Sequence, residues 1–229
     1  MKVIVFGATG YVGSSVANAL VRTGHIVYGV SRSKENAATL RANEIIPLVG
    51  DADHSDEWKA HLKDADVAID CTAGFDTAGP ALFKAVESTV ATVRNTNTSG
   101  GIPKLAYIYI SGIWVHGDNR KEMVTESSSP AQVPTAVAWR PSLEQQVVKS
   151  ESVRGIVVRS GSCYGRRGSL IGLLFSQAEK GSISWFGTPG GSYTLVHVDD
   201  LAECILLATE KNHIVGGLIL DAANEVTES

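Results

Sequence analysis

The sequence predicts an α/β fold: a parallel, doubly wound sheet covered by helices on both faces, with a small substrate region at the sheet's C-terminal edge. Three observations predict it. Short β-branched apolar runs alternate with helix-length amphipathic stretches along the chain. A glycine-rich segment joins the first run to the first such stretch. No internal repeat or long linker divides the 229 residues, so one domain over 1–229 is expected, with substrate-side loops at about 118–150 and 165–195.

The elements follow in order. Val3–Phe6 is short and β-branched, which suits a buried strand. Ser14–Thr23 sets Val16, Leu20 and Val21 on one helical face, and Gly24-His25 ends it. Ile26–Val30 is a second strand, Lys34–Ala42 a helix and Ile45–Val49 a third strand. Asp56–Leu62 reads as a short helix, Val67–Cys71 as a fourth strand and Pro80–Asn95 as a long helix. Leu105–Ile110, Ile156–Arg159 and Leu218–Leu220 supply strands five to seven. Asp118–Val133 is polar and reads as a surface loop. Gly181–Tyr193 carries Gly187, Pro189, Gly190 and Gly191 and reads as a loop or hairpin over the sheet's C-terminal edge, where ligand sites form in open α/β sheets.

Composition excludes several function classes. The net charge is −4 and no Lys/Arg run occurs, which argues against a phosphate-backbone binder. No stretch approaches the ~18 apolar residues of a membrane span, and Gly7 interrupts the first apolar run, so neither a signal peptide nor a membrane anchor is expected. Cys71, Cys163 and Cys204 are widely spaced with no CxxC pair, which reads as three buried thiols in a reducing, cytoplasmic compartment. The expected partner is a small-molecule substrate whose identity the sequence does not specify; homodimerisation is left open.

The strongest chemical signal is Gly7-Ala8-Thr9-Gly10-Tyr11-Val12-Gly13. It follows a strand and opens a helix. Gly7 permits a tight turn, Gly10 lets backbone approach a pyrophosphate, and Gly13 permits close packing of helix on strand. The helix N-terminus then offers free N–H groups and a positive dipole end. The second strand ends in Val30-Ser31-Arg32-Ser33-Lys34, with no carboxylate until Glu35. Arg32, helped by Ser31, Ser33 or Lys34, can pair with a 2′-phosphate, so NADP(H) is the expected cofactor and NAD(H) the less favoured one.

The GxxGxxG spacing resembles that of extended and atypical short-chain dehydrogenase/reductases, whose fold is of the Rossmann type, and of the related regulators of nitrogen metabolite repression. Further landmarks follow in the family's order. Val49-Gly50-Asp51 is similar to the third strand and the acidic residue that meets the adenine amino group. Cys71-Thr72-Ala73-Gly74 resembles the fourth-strand end beside the cofactor. Tyr109-Ile110-Ser111-Gly112 with Val115-His116-Gly117 resembles "SS…VYG". Arg159-Ser160-Gly161-Ser162-Cys163-Tyr164-Gly165 resembles "RPG.VYG", and His197-Val198-Asp199-Asp200-Leu201-Ala202 is close to "HVDDLA". The resemblance implies a cofactor shell of Gly7, Thr9, Gly10, Tyr11, Val12, Gly13, Ser31, Arg32, Asp51, Ala52, Cys71, Thr72, Ala73, Ser111 and Ser162. No metal is expected: His197 with Asp199 and Asp200 reads as a strand-to-helix turn in which an aspartate caps the helix. Extended family members continue into a C-terminal substrate lobe. This sequence stops near the turn that precedes it, so it is either a short member or lacks that tail.

The family's Tyr-x-x-x-Lys pair is missing. Aligned by context, Trp139 takes the tyrosine's place and Leu143 the lysine's, and neither can relay a proton. Gly112 falls at the family's Ser/Thr position. Ser111, one residue earlier, and His116, in place of the "VYG" tyrosine, are the remaining catalytic candidates. Because a strand alternates faces, that one-residue offset can turn Ser111 away from the substrate. Arg140 and Glu144, at i and i+4, read as a structural pair on a helix. The resemblance implies hydride transfer between NADP(H) and a small carbonyl or alcohol. A non-catalytic NADP(H) sensor or partner-binding module is the second reading, and a sugar-nucleotide epimerase or dehydratase the third.

Overall fold

The computed structural model describes all residues except 53, 55, 73–77, 95–102, 120–121, 167, 185–191, 225 and 229. The first half of the chain alternates strand and helix: β1 (Lys2–Phe6), α1 (Tyr11–Arg22), β2 (Ile26–Ser31), α2 (Asn36–Ala42), β3 (Ile46–Val49), α3 (Asp56–His61), β4 (Val67–Asp70) and α4 (Ala78–Val93). The second half carries β5 (Ala106–Gly112), α5 (Arg140–Val148), β6 (Arg154–Ser160), β7 (Ser162–Tyr164), α6 (Gly172–Ala178), β8 (Ser192–His197), α7 (Val198–Glu210), α8 (Asn212–Val215), β9 (Ile219–Ala222) and β10 (Val226–Glu228).

Seven strands form one parallel sheet in the order β3-β2-β1-β4-β5-β6-β9. The chain builds outward from β1 in one direction and then returns to build in the other, so the strand ends part between β1 and β4. That is the crevice where ligands sit in open α/β sheets.

Period-2 alternation divides the core into two layers. On β5, Ala106, Ile108 and Ile110 face one apolar cluster while Tyr107 and Tyr109 face the other. The first cluster packs Val16, Ala17 and Leu20 of α1 with Leu201 and Ile205 of α7. The second packs Trp58 of α3, Phe83 and Val86 of α4 and Leu143 and Val147 of α5. Both faces of the sheet are therefore dry, which is why its strands read as continuous apolar runs.

A small second sheet, β10-β8-β7, lies beyond the end of β6. Ser162–Tyr164 pairs in parallel with Leu195–His197. The sequence reading gave no strand to Ser162–Tyr164 and implied the other only through the strand-to-helix turn at His197. The helix that follows β8 is capped by His197, not by an aspartate: its Nδ1 accepts from the Asp199 N–H at 3.2 Å. His197 has the extended backbone of a cap residue and its ring nitrogen reaches the second helical N–H, so Asp199 is left to pair with Arg166 at 2.8 Å. No helix among the described residues is long and apolar enough to cross a membrane.

Candidate active site

The turn after β1 has the shape its glycines demand. Gly7 sits at φ +72° and its carbonyl accepts the Gly10 N–H at 2.8 Å. A Cβ on Gly13 would lie 2.1 Å from the Gly7 carbonyl oxygen, so only glycine lets α1 pack this close to β1. Gly10 caps α1 with no side-chain hydrogen bond. The first N–H groups of this twelve-residue helix thus open on the crevice, and the cradle fits a pyrophosphate.

Around this turn the structure gathers most of the expected cofactor shell. Tyr11, Val12, Cys71, Ser111 and Ser162 border a cavity of about 240 Å³ together with Gly112, Arg140 and Ser160. Thr9 is exposed at the turn. Tyr11 hydroxyl donates to the Gly165 carbonyl at 2.7 Å, bridging α1 to the segment after β7. Burial and the nearby Cys163 sulfur push its pKa up to about 12. Thr72 turns inward: its N–H and hydroxyl donate to Asp70 Oδ1 at 2.8 and 2.6 Å. Ala73 lies outside the described residues.

At the end of β2, Ser31 is buried and its Oγ accepts from Asn36 Nδ2 at 2.9 Å. Arg32 is exposed. Glu35 is held by the Ser33 hydroxyl, which keeps its carboxyl below the usual range. Asp51 Oδ1 accepts the His54 N–H at 2.7 Å, its backbone carbonyl accepts from the Trp58 indole at 2.9 Å, and Ala52 packs beside the second core cluster.

The two catalytic candidates are drawn into a buried cluster. Ser111 hydroxyl donates to Glu144 Oε1 at 2.6 Å; Arg159 Nη2 donates to Glu144 Oε2 at 2.6 Å. His116 Nε2 lies 2.8 Å from Asp221 Oδ2, whose other oxygen is 3.7 Å from Arg159 Nη1. Register explains the cluster. Ser111 pairs with Arg159 and Arg159 with Asp221 across β5, β6 and β9, and laterally paired residues share a sheet face. Glu144 then descends from α5 onto that row. The expected Arg140–Glu144 pairing is therefore replaced: Glu144, 1% exposed, faces Arg159 and Ser111. The offset of Ser111 from the family position directs its hydroxyl to Glu144, and His116 does not border the cavity.

Of the two residues aligned with the missing pair, Leu143 is buried in the second cluster and Trp139 packs against Gly79 of α4. The helix instead turns Arg140 toward the cavity. Its Nη1 would stand 3.6 Å from a Cβ on Gly112. Sequence reasoning treated Arg140 as structural. The available signal was Gly112 itself, which leaves space at the end of β5.

A family model described as NAD(P)H-binding matches residues 7–160. An epimerase family protein of Mus musculus is 25% identical over 95% of this chain and 73% of its own length. An epimerase family protein of Bacillus subtilis is 25% identical over 99% and 76%. Among solved structures, dTDP-glucose 4,6-dehydratase from Bacillus anthracis, in complex with NAD, superposes with a TM-score of 0.82 at 16% identity, covering all of this chain and 77% of that one. UDP-glucuronic acid 4-epimerase from Bacillus cereus, in complex with UDP-glucuronic acid and NAD, gives 0.79 at 19% identity, covering all of this chain and 79% of that one.

Proposed function

This chain belongs to the NAD(P)H-binding family, and we propose that it is an atypical short-chain dehydrogenase/reductase that binds NADP(H) and transfers hydride to or from a small carbonyl or alcohol substrate. The observation that carries the reading is the cavity itself. It opens beside the α1 N-terminus, at the strand ends, with a guanidinium at its far wall. When bound, NADPH supplies the hydride that turns a carbonyl into an alcohol, ending as NADP⁺ while the alcohol proton comes from water.

The residues hold and polarise. Gly7, Gly10 and Gly13 bring backbone N–H groups to the pyrophosphate. Arg32 would supply the cation that a 2′-phosphate needs, and Glu35, the next carboxylate along the sequence, is turned onto Ser33. Arg140 stabilises negative charge that develops on the substrate oxygen, because a guanidinium stays protonated throughout. Burial raises the Cys71 and Cys163 thiols, so neither serves as a proton donor or nucleophile near neutral pH.

Trp139 and Leu143 favour a second reading, an NADP(H) sensor without turnover, since neither relays a proton. One experiment separates them: titrate the full chain with NADPH and NADH by nicotinamide fluorescence, then add a panel of carbonyl compounds and follow NADPH oxidation. Tight NADPH binding with turnover supports the reductase; tight binding without turnover across the panel supports the sensor. Binding of neither nucleotide refutes both.

A further inference from the structure

The rim of the sheet opposite the crevice holds a second cavity, of about 380 Å³. Four neighbouring strands, β1, β4, β5 and β6, begin there. Lys2 opens β1, Asp66 precedes β4, Lys104 lies just ahead of β5 and Arg154 opens β6. Lys63 and Arg94, each just past the end of a helix, complete the charged wall together with Asp64. Five cationic side chains thus meet two carboxylates, in a chain whose net charge is −4.

The two kinds of cation are used differently. Both guanidiniums are engaged inside the protein. Arg94, 5% exposed, donates from Nε to the Leu62 carbonyl at 2.8 Å, from Nη1 to the Pro103 carbonyl at 2.8 Å and from Nη2 to the Ala65 carbonyl. It thereby offsets the partial negative charge at the end of α3. Asp66 and Asp64 balance the Arg94 charge, and Asp66 Oδ2 also accepts the Lys2 N–H at 2.7 Å. Arg154 Nη1 donates to Asn212 Oδ1 at 2.6 Å. The ammonium groups are not engaged: those of Lys2, Lys63 and Lys104 make no hydrogen bond or ion pair among the described residues. Lys63 and Lys104 are exposed and Lys2 is half-buried.

We propose that this cavity is a second ligand site, for a compact phosphate-bearing anion of the pyrophosphate type. Charge balance and the kind of cation point to that class. With both acids committed to Arg94, three ammonium groups border the cavity without a carboxylate of their own. An ammonium is a compact point charge with rotating donors, which suits the charge density of a phosphate. The planar match to a carboxylate needs a guanidinium, and both of those here are occupied. None of the described lining residues is aromatic, so a nucleobase finds nothing to stack on. The site lies at the other rim from the cofactor crevice and does not depend on the hydride-transfer reading.

The test is calorimetric titration of the full chain with pyrophosphate, inorganic phosphate, sulfate and citrate, with and without saturating NADP⁺. Wild type should bind pyrophosphate roughly 10-fold more tightly than citrate, which carries similar charge on carboxylates alone. The affinity should fall as ionic strength is raised. Lys63→Gln and Lys104→Gln should each weaken pyrophosphate binding about 10-fold, the loss of one charge-assisted contact, and the double variant about 100-fold. Exposed lysines leave the unfolding midpoint unchanged. Should the double variant nevertheless unfold, Lys63→Arg with Lys104→Arg carries the test: the charge is kept, and pyrophosphate should lose its preference over citrate.

The cradle before α1 is the other place where pyrophosphate fits, and NADP⁺ distinguishes the two. Binding that is unchanged by NADP⁺ and lost with the lysines supports the second site; binding displaced by NADP⁺, or surviving the double Gln variant, overturns it. So does the absence of pyrophosphate binding, or binding of citrate, sulfate or inorganic phosphate as tight as that of pyrophosphate. Lysine-dependent pyrophosphate binding in a protein that holds neither NADPH nor NADH leaves the second site standing and removes the cofactor reading.

Discussion

The two halves of the crevice are built from different materials. On the β1–α1–β2 side the work is done by backbone: a turn at φ +72°, a capless helix start, and side chains that mostly stay out of the way. On the β5–α5–β6 side it is done by side chains, five of which lock into a buried charged row from His116 to Ser111. The first half tolerates few shapes but many chemistries. The second tolerates few chemistries, because each buried charge in it depends on another.

That contrast can be broken experimentally, and the largest effect lies on the side-chain half. Arg159→Met leaves the buried Glu144 and the half-buried Asp221 without their cation and should cost about 3–5 kcal/mol of stability, read by urea denaturation. A cost below about 1 kcal/mol would show that the row is not held by charge. On the backbone half, Gly13→Ala forces α1 away from β1 and should cost about 1–3 kcal/mol by overpacking. NADPH affinity should fall more steeply than stability, because the helix start moves; a fluorescence titration on the folded variant checks this.

Arg32→Ala sharpens the comparison without touching the fold. It should weaken NADPH binding roughly 10-fold, the loss of one charge-assisted contact, and leave NADH unchanged. Equal loss for both nucleotides would remove the 2′-phosphate assignment. The smallest effect joins the halves. Tyr11→Phe removes the hydrogen bond to Gly165 and should cost about 1 kcal/mol. The folded hydroxyl titrates near pH 12 and the unfolded one near pH ~10, so between these values the unfolded chain holds fewer protons. Stability therefore falls as pH rises through that window, and Tyr11→Phe should show a shallower fall than wild type.

The backbone half was legible in the sequence because its instructions are local. Glycine spacing and strand-then-helix order lie within a dozen residues, and the observed β1, α1 and β2 follow the predicted boundaries to within a few positions. The side-chain half was not legible, since Ser111, Glu144, Arg159 and Asp221 meet only through the register of three strands. Arg140 and Glu144 were read on a helix, and α5 bears that out with Trp139 as its N-cap, but which residues of that helix face the crevice depends on its rotation. Packing of Leu143 into the core sets that rotation and presents Arg140 instead. Within the small β10-β8-β7 sheet, β7 and β10 escaped notice because three-residue strands carry too little pattern to separate from loop.

The row from His116 to Ser111 has a consequence for anyone seeking to rebuild a proton relay here. Installing tyrosine and lysine at 139 and 143 would sink a lysine into the apolar layer beside Val147. Installing them at 140 and 144 would set a lysine against Arg159 and strand the serine. Each path leads through a less stable protein, so the buried Glu144–Arg159 pair works against either exchange.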